Sequence, residues 1–168
     1  MACVYRSIAA AAAAVFLVAA APLPPPSQDN SPPREMKYPI FGKWEITKYV
    51  LAPWIEPGED TKDIAADGEH HLRLSITFAP DKVISKDNTL GCTGANYEPT
   101  DFPPDYLFQG GLPEGEQAKI AASYGLPAGN VPGFDLDCST GLFSYHFANA
   151  DTLLFALSDV IYWLERKK

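Results

Sequence analysis

Two cysteines are the residues of this chain whose chemistry follows most directly from type and spacing. No other cysteine lies within four residues of Cys92 or Cys138, so the close pairs that hold zinc are absent. In an oxidising compartment such a pair reads as one disulfide. Closing a loop of roughly 47 residues would remove roughly 4 kcal/mol of unfolded-chain entropy. Two inert buried thiols are the other reading.

Metal and acid–base chemistry have weaker candidates. Glu56, Glu59, Asp60, Asp63, Asp67 and Glu69 form an acidic stretch in which Lys62 is the only base, and His70 and His71 adjoin it. The stretch lacks the ligand alternation of an EF-hand loop and reads as a solvated connection between strands. If His70 and His71 open the next strand, they point to opposite faces and cannot share an ion. Asp135 and Asp137 share a face and could meet His146 across neighbouring strands, but no ligand spacing marks a site there. Nucleophilic catalysis has no Gly-x-Ser-x-Gly elbow to support it, and Ser139 after Cys138 reads as a turn residue. The expectation is therefore no catalytic residue, no metal and no cofactor.

The amino terminus sets the compartment. Arg6 precedes an uncharged run from Ser7 to Ala21, closed by small residues, which is the layout of a secretory signal peptide over 1–20. The apolar run is shorter than the roughly 20 residues that span a bilayer as a helix. A secreted or periplasmic location follows. The stretch 21–36 carries six prolines between Pro22 and Pro33 and reads as an extended linker. The folded domain is expected over 37–168.

Charge narrows the partners. The full chain carries 13 Lys+Arg against 21 Asp+Glu, a formal charge of −8. Loss of Arg6 with the leader leaves 12 against 21, or −9. Such a surface repels phosphate backbones and anionic membranes. Nucleic acid and peripheral membrane contact are not expected, and the chain should be a monomer.

The elements that must position these residues are mostly strands. Trp44 and Ile46 alternate with Lys43, Glu45 and Thr47, and Leu72, Leu74, Ile76 and Phe78 alternate with His71, Arg73, Ser75 and Thr77. That is the period of two of a half-buried strand. The pattern predicts strands near 41–50, 70–78, 82–86, 105–109, 133–138, 142–148, 152–157 and 160–166. One helix is predicted at 114–124, with acids in its first turn and Gly125 after its end. The last four strands, joined by tight turns, describe an antiparallel meander.

Gly42-Lys43-Trp44 opens the first strand and Arg166 closes the last. This resembles the lipocalin and calycin arrangement, in which a Gly-x-Trp packs beneath an arginine from the chain's end. The resemblance implies an all-β fold: a single antiparallel lipocalin-like barrel of about eight strands, with one short helix. Gly42, Trp44 and Arg166 would be its structural signature, and the acidic connection would hang over the mouth. Gly91-Cys92 and Asn96-Tyr97, after an Ile-Thr-Phe hairpin, are similar to the small periplasmic META-domain proteins. Neither resemblance assigns a chemistry. The expected function is non-enzymatic binding of a small apolar or amphipathic ligand in the barrel. The alternative is a secreted protein–protein module, such as an enzyme inhibitor or envelope-assembly factor, with a filled barrel. Tyr97, Tyr106, Tyr145, Tyr162, Trp54 and Trp163 would line the cavity or simply build the core.

Overall fold

The computed structural model describes residues 35–113 and 115–168. The leader expected over 1–20, and the linker as far as residue 34, lie outside them. Nine strands form one antiparallel sheet: β1 (Gly42–Leu51), β2 (Ser75–Ala79), β3 (Lys82–Ser85), β4 (Cys92–Thr93), β5 (Asn96–Phe102), β6 (Val131–Cys138), β7 (Gly141–Asn149), β8 (Thr152–Leu157) and β9 (Val160–Arg166). Their spatial order is β4-β3-β2-β1-β9-β8-β7-β6-β5. The first and last strands thus pair at the centre, and the sheet curls into a half-barrel.

Strict alternation decides what faces inward. Trp44, Ile46, Ile76, Phe78, Phe134, Leu136, Tyr145, Phe147, Leu153, Phe155, Tyr162 and Leu164 are buried in one inner cluster. A bulge between Ile46 and Lys48 shifts the β1 register, so Tyr49 rather than Lys48 lies opposite inward-facing Tyr162. The inner face is filled by rings in mutual contact. Phe134 stacks on Tyr145 at 5.0 Å, Phe155 on Tyr162 at 5.1 Å, and Phe78 meets Tyr145 edge-on at 5.2 Å. Each such pair adds about 0.5–1.5 kcal/mol beyond the area it buries.

The two edges of the sheet approach each other at one end. Cys92 of β4 is bonded to Cys138 of β6, with Cα atoms 5.8 Å apart. Beside that bond the Thr93 N–H donates to Ser139 Oγ at 3.3 Å. Tyr97 of the other edge strand donates its hydroxyl to Ala79 O at 2.8 Å.

A second apolar layer covers the outer face. The connection between β5 and β6 carries a 3₁₀ turn at Tyr106–Phe108 and helix α2 (Gln117–Ser123). Its Leu107, Phe108, Leu112, Ala121 and Leu126 pack on Val131, Leu154 and Ile161. Strands β6, β8 and β9 therefore bury apolar side chains on both faces.

Several expectations need correction. Among the described residues there are two helices, not one, and nine strands rather than about eight. The acidic stretch is a loop only in its first half: Glu56, Glu59 and Asp60 lie exposed there, whereas Lys62–His71 is helix α1, and the strand expected from 70 begins at Ser75. Between them Arg73 takes a left-handed φ of 68°, which ends the extended run. The strand expected at 105–109 is the 3₁₀ turn, closed by Gln109 at φ 53°. Strands β4 and β5 were not expected, because Asn96–Phe102 is polar and contains Pro99. As an edge strand, β5 tolerates a proline that a central strand would not.

Candidate functional site

Three places on this frame gather side chains that could act. At one end of the inner face, Trp44 and Arg166 are cross-strand partners on β1 and β9. The guanidinium carbon lies 4.2 Å from the indole centroid. Arg166 also donates to the carbonyl oxygens of Phe41 (3.3 Å), Ala150 (3.3 Å) and Pro39, and its Nε lies 3.4 Å from Asp151 Oδ1. The Trp44 indole N–H donates to Ile40 O at 2.9 Å. Gly42 sits at φ 126°, and a Cβ there would lie 3.7 Å from the guanidinium. The Trp44 indole N–H and the Arg166 guanidinium are thus both engaged within the chain. This end is a seal rather than a site.

Further along β9 from that seal, α1 lies across β1 and β9 with Gly68 against the Tyr49 ring. Its last turn brings His70 and His71 to Asp87, in the loop after β3. Asp87 Oδ2 is 3.3 Å from His70 Nε2 and 3.7 Å from His71 Nε2. The other carboxylate oxygen accepts the Thr89 N–H at 2.7 Å, which aims Oδ2 at the imidazoles. Burial alone would raise the Asp87 carboxyl. The Thr89 hydrogen bonds, His70 and the charge of His71 outweigh it and hold the group below its ordinary range. His71 Nδ1 shares a 3.0 Å hydrogen bond with the hydroxyl of Tyr162, a ring of the inner core. The expectation that His70 and His71 point apart fails because they sit on a helix, where neighbours are about 100° apart.

The third place is on the outer face. The β5–β6 connection stands off from β7 and leaves a cleft of about 570 Å³. Its walls include Pro103, Tyr106, Leu107, Leu142 and Phe143, and its floor includes Ser144 and His146. Leu142 is 67 % exposed and Tyr106 48 %. His146 is 1 % exposed, and neither ring nitrogen has a hydrogen-bond partner. Burial pulls its pKa down to about 4; the backbone of Leu154 and Ser144 lies near enough to oppose this slightly, but not in hydrogen-bonding geometry. The ring is therefore neutral at pH 7, with one donor and one acceptor unused. Phe102 lies over it at 4.3 Å, and Tyr106 lies over Phe102 at 4.7 Å. The room for Phe102 comes from Gly133, the residue opposite His146. A Cβ at Gly133 would stand 2.1 Å from Tyr145 O and 2.6 Å from the Phe102 ring.

Asp135 does not meet His146. It accepts from Ser144 Oγ and, at 3.5 Å, from Thr100 Oγ1. Asp137 is exposed one step further along β6, opposite Leu142. Asp87 and the orphaned state of His146 escaped the sequence reading. Asp87 is one carboxylate among many until the β3–β4 loop is placed. His146 follows the alternation of β7, but only the Phe102 lid removes its water. No protein family, characterised protein or solved structure matches this chain.

Proposed function

We propose that this chain is a secreted or periplasmic, non-enzymatic binding protein built on a closed lipocalin-like barrel. A small apolar or amphipathic ligand seats in the outer cleft above His146, not inside the barrel. The observation that carries this reading is the unpartnered imidazole of His146, capped by Phe102, in a cleft that exposes Leu142 and Tyr106. A buried polar group left without partners costs about 1–3 kcal/mol, and such a cost in a cleft of ligand size is a mark of use. The ligand would lay an apolar body on Leu142 and Tyr106. With Phe102 shifted from its place over the imidazole, the ligand would offer one hydrogen-bonding group to the ring. The disulfide supports the oxidising compartment and, with the Thr93–Ser139 contact, the closed barrel. Among the described residues no helix is long and apolar enough to cross a membrane.

The rival reading, a protein–protein module, is favoured by the filled inner face, which leaves an interior ligand no room beside the stacked rings. Native mass spectrometry of the protein from the cells that make it separates the two. A small-molecule adduct lost in Leu142→Asp supports the cleft. A retained polypeptide, or a small adduct indifferent to Leu142→Asp, overturns it.

A further inference from the structure

We propose that His70, His71 and Asp87 bind a divalent transition-metal ion of the zinc class, which ties helix α1 to the loop after β3. Three donors of suitable type converge: two imidazole nitrogens and one carboxylate oxygen, all within 4.8 Å of one another. In a tetrahedral zinc site, bonds of about 2.0–2.2 Å place neighbouring ligand atoms about 3.3–3.6 Å apart. The separations to Asp87 Oδ2, 3.3 Å from His70 and 3.7 Å from His71, already fall close to that.

The surroundings orient the donors as a metal requires. The Tyr162 hydroxyl donates to Asp67 O at 3.4 Å, which leaves its oxygen to accept from His71 Nδ1. With that proton on Nδ1, a neutral His71 presents its Nε2 lone pair toward Asp87 Oδ2, where an imidazolium would present an N–H. A metal ion would take the place of that proton between the two groups. The partner on the far ring nitrogen, and the Thr89 N–H on the far carboxylate oxygen, are the outer contacts that fix metal ligands in place. Access is open as well. His71 and Asp87 side chains are 10 % and 15 % exposed, whereas that of His70 is 68 % exposed and faces solvent. The fourth position would be taken by water. Imidazole ligands select zinc-class ions over calcium or magnesium, which prefer oxygen alone.

The test uses the protein made without a histidine tag and Zn²⁺ as the probe. Calorimetric titration should find one ion per chain. At ~100 times Kd the melting temperature should rise by roughly 5–10 °C. Co²⁺ should give the visible absorption of a tetrahedral complex. His70→Ala, at an exposed position, should leave the metal-free melting temperature unchanged and weaken Zn²⁺ at least ~10-fold. Asp87→Asn, which keeps the acceptor for Thr89, should weaken Zn²⁺ likewise. No Zn²⁺ uptake by the wild-type protein, or undiminished affinity in both variants, overturns the site and leaves an ordinary imidazole–carboxylate pair.

Discussion

Trp44 and Arg166, on the first and last strands, lie directly opposite each other with the guanidinium 4.2 Å from the indole centroid. The contact joins the ends of the folded chain, because β1 and β9 pair at the centre of the sheet. A planar cation suits that place for two reasons. It lies flat on the ring, and its fork reaches the carbonyl oxygens of Pro39, Phe41 and Ala150.

Arg166→Ala should lower stability by about 0.5–2 kcal/mol, from the lost cation–π contact and the lost packing of the side-chain stem. Arg166→Lys should recover only part, since an ammonium lacks the planar fork. Urea unfolding of the three proteins measures both, and an unchanged midpoint in Arg166→Ala would contradict the role.

Replacing Cys92 and Cys138 together by serine should cost roughly 4 kcal/mol, because the bond closes a long loop in the unfolded chain. Non-reducing peptide mapping of the natural protein should recover the two cysteines in one linked pair.

His146 should make the fold acid-sensitive. The unfolded chain takes up a proton near the ordinary 6.5, whereas burial delays uptake in the native state to about 4. Between those values the unfolded state binds more protons, so stability falls as pH falls through this window. The loss should approach about 3 kcal/mol near pH 4. His146→Phe, which removes the titrating ring, should flatten that part of the profile. It should also spare the about 1–3 kcal/mol cost of the unpartnered nitrogens. Denaturant midpoints from pH 4 to pH 7 read both effects.

Gly133→Ala should be among the most damaging single-methyl additions, by about 3 kcal/mol. The added carbon meets the Tyr145 carbonyl, which is backbone and cannot swing aside, as well as the Phe102 ring. A melting temperature within a degree or two of wild type would show that the lid is not packed as described.

The strands legible in the sequence were those with clean alternation. Thr152–Leu157 and Val160–Arg166 match their expected bounds, and the meander from β6 to β9 is as the turns imply. Helix α1 was illegible because KDIAADGEHH has no apolar stripe and no side-chain cap. Docking on Tyr49 and Tyr162 organises it instead, and local propensity gives no sign of such tertiary support. Strand β5 hid behind Pro99 and its charges. The His70–His71–Asp87 cluster followed α1 into the gap. On a strand those two histidines would face apart; only the helix brings them together. His146 was visible as a strand residue but not as an orphan, since that depends on Gly133 admitting Phe102.

The proposed ligand site is tested most directly by NMR of the labelled wild-type protein, titrated with the small-molecule extract of the cells that make it. Shifts should concentrate at Tyr106, Leu142, Ser144 and the His146 ring, while Tyr145 and Phe155 on the inner face stay fixed. Shifts confined to the inner-face rings, or none at the cleft residues, would contradict a ligand site outside the barrel.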